Sequence, residues 1–302
     1  MATQVVPSVQ RRLSSDVLLA LLATYVVWGS TYLAIRYMLV GFPPFLGIGL
    51  RFLAAGGMLY GFLRWRGVPN PTRIEWRNSA IVGAFLLAGG VGGTTFAEQW
   101  ISSGLAAVSA AAIPIWSALF SGLWGQWPAR REWIGILIGF GGVALLAVEG
   151  SLSASNPIGV IAMQTAVVLW SFGSVWSRRL KLPNGTMGFA AEMLTGGALL
   201  MVIGLVRGEH FTAFPEPSAI AAWAYLVLIG SLVAFSAYMY LLRNVPSALA
   251  TSYAYVNPMI AVLLGTIFAG EHITEIGLIA MMLIILSLSL IALAGQRTKG
   301  SA

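Results

Sequence analysis

The chain has 302 residues, of which 58% are apolar and only 9% are charged, and its mean hydropathy is +0.84. These proportions exclude a water-soluble globular protein, because so few charged residues cannot cover a soluble surface. The net charge of +7 lies in short basic clusters between apolar runs, so no continuous basic patch indicates nucleic acid as a partner. The chain contains no cysteine, which excludes disulfides and thiolate chemistry.

Long apolar runs predict an all-α integral membrane protein that has the lipid bilayer as its surroundings. A helix needs about 20 mostly apolar residues to cross about 30 Å of hydrocarbon. Ten such runs follow one another, at 17–39, 43–63, 78–97, 103–125, 132–149, 156–177, 186–206, 218–240, 246–269 and 273–294. The first run is too long for a signal peptide and no cleavage pattern follows it, so we expect it to be retained.

The basic residues predict how the helices are oriented. With the N-terminus in the cytoplasm, the segments on that side carry 14 of the 17 basic residues. Arg36 and Arg207 fall at the opposite face, and Arg51 lies within a span. Such a bias follows the positive-inside rule. We therefore expect a polytopic protein of the plasma (inner) membrane, with the N- and C-termini both cytoplasmic.

The two halves of the chain resemble each other. A shift of about 142 to 144 residues brings together paired tryptophans, arginines and prolines: Trp28 with Trp170, Arg36 with Arg178, and Pro114 with Pro258. Because each half has five helices, an odd number, the second half must enter the membrane in the opposite orientation. Inverted repeats of this kind are typical of secondary transporters, in which the substrate binds near the midplane between the halves.

The repeat divides the chain into four predicted parts. They are a cytoplasmic N-terminal segment at 1–16, a first five-helix repeat at 17–149, a second, inverted repeat at 156–294 and a cytoplasmic tail at 295–302. Paired glycines such as Gly89-Gly90 and Gly92-Gly93, together with the run from Gly135 to Gly142, are interpreted as close contacts between helices.

Several motifs resemble the EamA-type members of the drug/metabolite transporter superfamily. They are Trp28 to Tyr32 with Ala34 and Arg36, Pro43-Pro44 leading to Arg51-Phe52, Ser103 to Pro114, and Asn257-Pro258 through Gly265 with Glu271 to Thr274 and Gly277. The chain departs from the family after the fourth helix, where Gln126-Trp127-Pro128 replaces a frequent acidic residue. The resemblance implies a basket of ten helices around a central cavity, lined mainly by helices one, three, four, six, eight and nine. Members of the family mostly export amino acids, related metabolites or drugs.

Uncharged polar and aromatic side chains near the middle of the spans are the candidate substrate-binding residues. They are Trp28, Tyr32, Thr94, Thr95, Ser109, Trp170, Ser174, Tyr238, Tyr253, Tyr255 and Asn257. The repeat-related tryptophans are the strongest candidates, because an indole N–H inside the membrane needs a partner. The alternative interpretation is packing, since Ser and Thr often serve helix contacts and Tyr and Trp favour membrane interfaces.

Charged side chains and prolines within or beside the spans are candidates for gating or structural roles. They are Arg36, Arg51, Glu98, Pro114, Glu192 and Pro258. Arg51 and Glu192 are separated along the membrane normal by roughly 9 Å, so we expect each to contact a helix end, a polar side chain or water; a gating pair is the alternative.

At the predicted outer boundary, we expect Glu98 to be solvated rather than to couple protons, and Arg36 to pair with it. The two prolines are expected to kink their helices, either as hinges or as fixed bends.

These features predict a transporter that exports a small-molecule substrate by alternating access. A wall of aromatic groups with few charges favours neutral or zwitterionic solutes, most of all amino acids, including aromatic or other apolar ones, and related metabolites. The alternatives are a multidrug or other metabolite exporter of the same fold, and a passive channel. The sequence indicates no particular oligomeric state.

Enzymatic chemistry and cofactors find no support in the sequence. Asp16 is the single aspartate and no span contains a histidine, so the usual intramembrane catalytic sites are absent. His210 and His272 stand alone in connections, so no metal site is predicted. No glycine-rich run precedes Lys-Ser or Lys-Thr at nucleotide-binding spacing, and no cofactor is expected.

Overall fold

The computed structural model describes residues 14–149, 156–260 and 275–297, in which every regular element is a helix. The helices, in chain order, are α1 (Ser15–Met38), α2 (Pro44–Trp65), α3 (Arg73–Ala97), α4 (Ser103–Gly122), α5 (Arg130–Glu149), α6 (Pro157–Ser177), α7 (Thr186–Val206), α8 (Pro217–Asn244), α9 and α10 (Glu275–Arg297). The described part of α9 comprises Ser247–Ala250 and a second helical stretch at 253–260.

Eight of these helices are long and apolar enough to cross a membrane, as judged on the described residues alone. The other two are α5, which begins with Arg130, Arg131 and Glu132, and α9, whose described part ends at residue 260. The predicted all-α architecture with apolar spanning helices is therefore confirmed, and the observed helix ends lie close to the predicted ones. The count of ten spans stays a prediction.

Side-chain caps and prolines determine where several helices begin. Thr72 and Glu75 form a reciprocal capping box at the start of α3, and the Asn156 side chain accepts from the Ile158 amide at 2.9 Å at the start of α6. At the start of α2, the amides of Phe45 and Leu46 donate to the carboxylate of Glu209, at 3.0 and 2.9 Å. An acidic group is favourable there because the N-terminal end of a helix is partly positive.

Glycines allow two pairs of helices to pack closely, α2 with α7 and α5 with α10. A Cβ atom added at Gly197 would lie 3.0 Å from the Leu53 amide nitrogen, and one at Gly135 would lie 2.7 Å from Ile291 Cγ1. The Ser287 hydroxyl also donates to the Gly135 carbonyl at 2.7 Å. Close packing through glycine is therefore found in the predicted run, except at Gly141, where an added Cβ meets nothing within 4 Å.

Both α3 and α8 contain a stretch of π-helix, a feature that the sequence does not indicate. The two stretches, Ala84–Gly92 and Leu226–Phe235, are separated by 142 to 143 residues, the shift that relates the two halves. The π-helical part of α3 packs on α6, and that of α8 packs on α1. Stretches of this kind are often found at functional sites, and here they border the centre of the molecule.

Candidate functional site

Four aromatic side chains from α1, α6, α8 and α9 form a cluster at the centre of the bundle. The ring centroid of Trp28 lies 5.5 Å from Trp170, 5.0 Å from Tyr238 and 4.7 Å from Tyr253. Trp170 and Tyr238 are stacked at 5.2 Å. These separations are typical of favourable aromatic contacts. The two tryptophans that the repeat pairs in sequence are thus in contact in space.

A cavity of about 80 Å³ borders this cluster. Six of the predicted substrate-binding residues line it: Trp28, Tyr32, Thr94, Trp170, Tyr253 and Asn257. Apolar side chains from α1, α3, α4, α6 and α8 form most of the remaining wall. The lining also includes Arg51 and Phe52 of α2, a helix outside the main lining set that the family resemblance implied.

Trp170 and Asn257, both in the lining, carry buried polar atoms without hydrogen bonds in the described part of the chain. The Trp170 indole N–H lies near the hydroxyls of Tyr238 and Tyr253 but forms no hydrogen bond with either. The Asn257 amide lies near the Tyr32 hydroxyl, yet its nitrogen and oxygen are both without such a bond. Buried polar groups are seldom unpaired, which makes these donors and acceptors candidates for contact with a bound molecule.

The Arg51 side chain is buried, with only 3% of its surface exposed. Its Nε donates to the Ser231 hydroxyl at 2.8 Å, and its guanidinium lies 4.8 Å from the Phe52 ring centroid. The Ser231 hydroxyl in turn donates to the Leu226 carbonyl within the π-helical stretch of α8. A polar side chain is one of the partners expected for Arg51, and Ser231 is such a side chain.

Gly230 holds two of the cavity's side chains in position. Its carbonyl accepts from the Trp28 indole N–H at 3.4 Å. A Cβ atom added at Gly230 would lie 2.9 Å from Nη2 of Arg51. A side chain at this position would therefore displace the guanidinium from its observed place beside the π-helical stretch of α8.

The structure places the other five predicted substrate-binding residues outside the cavity lining. They are Thr95, Ser109, Ser174, Tyr238 and Tyr255. The hydroxyls of Ser174 and Tyr238 bond each other at 2.7 Å behind the aromatic cluster. Thr95 donates to the carbonyl of Val91, one turn earlier in its own helix, at 2.9 Å.

Tyr255 points away from the cavity toward α5. Its hydroxyl donates to the Ile136 carbonyl at 2.9 Å, and its ring packs beside Gly139. The side chain is fully buried there. Its contacts connect α9 to α5, which is a packing role.

Glu98 is not solvated as expected, because it is only 1% exposed. The connection after α3 is covered by the start of α6, where a Cβ added at Gly159 would lie 2.8 Å from Ile101 Cγ2 and 3.0 Å from Trp100 Cβ. Both carboxylate oxygens are without a hydrogen bond in the described ranges. Arg36 is the charged group that interacts electrostatically with this carboxylate.

Arg36 contacts the backbone of this connection instead of the Glu98 side chain. Its Nη1 donates to the carbonyls of Glu98 and Ile101 at 3.2 and 3.3 Å. Arg178, its counterpart in the second half, donates to the Val245 carbonyl at 2.8 Å. Each arginine thus holds the connection that precedes α4 or α9, and the expected pair of Arg36 and Glu98 side chains is replaced by these backbone contacts.

Glu192 of α7 is fully buried and its carboxylate has no hydrogen bond to any described residue. Its backbone carbonyl would lie 2.8 Å from a Cβ atom added at Gly83 of α3, so the two helices approach closely here. Glu192 interacts electrostatically with Arg243, near the end of α8. Among the described contacts, Arg51 and Glu192 do not bond each other, in agreement with their predicted depths.

The two prolines lie in helices that are interrupted. In α4, a single 3₁₀ turn at Ala110–Ala112 precedes the stretch Ile113–Gly122, which has Pro114 in its first turn. Ala110 and Ile113 line the cavity, so this interruption shapes its wall. In α9, the interruption lies at residues 251 and 252, and the helix runs regularly through Pro258. The regular helix is therefore interrupted just before Pro114, whereas in α9 the interruption lies six residues before Pro258.

Comparisons with known proteins agree with this architecture. Residues 15–148 and 157–293 each match the model of the EamA-like transporter family. YedA, an uncharacterized inner membrane transporter of Escherichia coli (strain K12), is 46% identical over 275 residues, which cover 91% of this chain and 90% of YedA. YvbV, an uncharacterized transporter of Bacillus subtilis (strain 168), is 26% identical over 292 residues and 94% of each chain.

A solved crystal structure shares the fold with a TM-score of 0.76, at 23% identity, over 95% of this chain and 99% of that one. The family matches cover almost all of the sequence, and the resemblance inferred from the motifs is confirmed. The chain belongs to the EamA-like transporter family and is a membrane transporter.

Proposed function

We propose that this transporter exports small neutral or zwitterionic solutes, most of all amino acids, through the central cavity by alternating access. The observation that carries the proposal is the contact between Trp28 and Trp170 at the cavity wall. These residues come from corresponding helices of the two halves. A site shared by the halves is where alternating exposure to the two sides of a membrane would act.

The proposed mechanism requires two inverted five-helix repeats that form ten spans. Reciprocal contacts favour this arrangement, because α3 packs on α6 in the same way that α8 packs on α1. The paired π-helical stretches and the matched backbone contacts of Arg36 and Arg178 also favour it. In this proposal the N- and C-termini are cytoplasmic, and the membrane is the inner membrane, as in the name of the Escherichia coli relative.

The chemistry of the cavity supports an amino acid as the transported molecule. The aromatic faces of Trp28 and Tyr253 suit an apolar side chain. The free Trp170 N–H and Asn257 amide offer hydrogen bonds to a polar end. A few placed polar groups in an otherwise apolar wall are typical of small-molecule sites.

Counterflow in proteoliposomes tests this proposal. Vesicles that contain the full chain are loaded with unlabelled phenylalanine, leucine or alanine and diluted into the radiolabelled amino acid. A carrier gives transient accumulation that saturates with concentration, and we expect the replacement Trp28→Ala to abolish it. Trp65→Ala is the matched control, since Trp65 is 79% exposed at the end of α2.

Flux without saturation or counterflow would instead indicate a channel. Absence of counterflow for amino acids, but its presence for other metabolites or for drugs, would support the alternative exporter functions.

A further inference from the structure

Arg51 differs from the other arginines that make hydrogen bonds because its terminal nitrogens are unused. Arg36, Arg178 and Arg243 each donate from Nη atoms to backbone carbonyls. In Arg51, the only hydrogen bond among the described residues is made by Nε, to Ser231. Nη1 and Nη2 therefore keep their donors, while the residue lines the cavity.

The charge of Arg51 is not balanced by an acid in the cavity. No aspartate or glutamate belongs to the described lining. A guanidinium stays protonated in proteins, and a buried charge is costly unless it is paired. A cavity with one fixed positive charge and no fixed negative charge is complementary to an anionic group.

The surroundings of Arg51 restrict which anionic group would fit. Its planar guanidinium matches a carboxylate, which can accept from two nitrogens at once. On the same cavity wall are the aromatic faces of Trp28 and Tyr253 and the unpaired N–H of Trp170. An apolar or aromatic body attached to one carboxylate would use all of these features.

We propose that the cavity recognises its substrate by a carboxylate, which pairs with Nη1 and Nη2 of Arg51, and that an ammonium group on the substrate is not required. This inference rests on the proposed function and specifies its substrate class, organic acids with an apolar or aromatic body. Amino acids belong to this class through their carboxylate. The described lining offers an ammonium group no carboxylate partner.

Four probes that share a phenyl ring show how a carboxylate and an ammonium group on the ligand each contribute to binding. They are 3-phenylpropanoate, phenylalanine, 2-phenylethylamine and 3-phenylpropanol, each titrated calorimetrically into the full chain in lipid nanodiscs at pH 7.5. We expect 3-phenylpropanoate to bind at least as tightly as phenylalanine. The amine and the alcohol should bind at least about tenfold more weakly, because they lack charge-assisted hydrogen bonds from the guanidinium.

Replacing the guanidinium tests its role directly. We expect Arg51→Gln to weaken 3-phenylpropanoate binding by about ten- to a hundredfold and to leave 3-phenylpropanol binding unchanged. Arg64→Gln is the matched control, because it removes the same charge from the exposed end of α2. Equal affinity for acid and alcohol, unchanged affinity of Arg51→Gln for the acid, or no binding of any probe would overturn the inference.

A second variant keeps the charge and changes only its position. Gly230→Ala would place a Cβ 2.9 Å from Nη2 of Arg51 and displace the guanidinium. We expect it to weaken binding of the acid more than binding of the alcohol. Gly57→Ala in α2 is its control, because an added Cβ there meets nothing within 4 Å.

Binding and transport distinguish the two proposals. If counterflow is intact but the preference for a carboxylate is absent, only the inference about Arg51 fails. If carboxylates bind selectively but no solute shows counterflow, the proposed transport function fails.

Discussion

The two central tryptophans occupy matching positions in the sequence, but their indole N–H groups have different surroundings. The Trp28 N–H donates to the Gly230 carbonyl, whereas the Trp170 N–H has no hydrogen bond in the described ranges. Both residues are nearly buried and both line the cavity. The Trp28 N–H therefore holds α1 against α8, whereas the Trp170 N–H has no such role among the described residues.

We expect Trp170→Phe to weaken substrate binding by roughly three- to tenfold, the range of one neutral hydrogen bond. The fold should be little affected, because the replaced N–H has no protein partner to lose. Calorimetric titration of phenylalanine and thermal unfolding of the same sample measure the two effects. Unchanged affinity would show that the N–H does not contact the substrate.

Tyr255→Phe should lower the stability of the protein and leave its affinity for substrate unchanged. The variant loses the hydrogen bond to the Ile136 carbonyl, which we expect to lower the free energy of unfolding by about 1 kcal/mol. Substrate affinity should stay at the wild-type value, since Tyr255 does not line the cavity. Denaturant titration in detergent and substrate titration check this expectation, and a loss of affinity without a loss of stability would contradict it.

The sequence could predict the depth of a side chain but not always the helix face on which it lies. Thr94 and Thr95 are adjacent and polar, yet only Thr94 lines the cavity, while Thr95 bonds its own helix. Adjacent residues are about 100° apart around a helix, and the apolar character of both lipid and protein interior removes the usual amphipathic signal. Contacts across the bundle decide which face points inward.

For Arg51, the sequence indicates a costly charge inside the membrane but not a position in the cavity. Its reach toward the centre depends on Gly230, 179 residues away in the chain, and on the π-helical stretch that contains this glycine. Nothing in the sequence marks Gly230 and Ser231 as neighbours of the cavity. A charge within a span was the one feature that could have indicated this part of the site.

Helix positions and approximate ends could be predicted, because apolar length and flanking charges indicate both. The π-helical stretches could not, since Ala84–Gly92 and Leu226–Phe235 are ordinary apolar sequences. Their geometry arises from contacts with α6 and α1, on which they pack. The cap that Glu209 provides for α2 was likewise missed, because it joins residues distant in the chain.

Gly90→Ala should disrupt the contact between α3 and α6. An added Cβ would lie 2.6 Å from Cε3 of Trp170 and 3.1 Å from its Cβ. We expect a loss of about 1–3 kcal/mol in stability from overpacking, or a displaced indole with weakened transport. Gly141→Ala, which adds its Cβ in open space, should show neither effect. Thermal unfolding measures the loss of stability, and counterflow measures the loss of transport. Stability and transport at the wild-type level in Gly90→Ala would contradict the observed packing.

Taken over the full chain, the proposed topology makes a simple prediction about accessibility. The absence of natural cysteines allows single cysteines to be introduced without background. We expect an impermeant maleimide to label Thr212→Cys, in the connection between α7 and α8, on intact cells. Pro69→Cys, in the connection between α2 and α3, should be labelled only after the membrane is opened. Labelling in the reverse order would overturn the proposed orientation.

The cavity's part in transport is tested most directly by cysteine labelling at its wall. Thr94→Cys places the thiol in the lining, and Thr95→Cys is the matched control one residue away, on a buried face. In alternating access, an impermeant maleimide should label Thr94→Cys in right-side-out and in inside-out vesicles, while Thr95→Cys stays unlabelled. Phenylalanine should slow the labelling from both sides. Labelling of Thr94→Cys from neither side, or labelling that substrate does not slow, would contradict a transport site at this cavity.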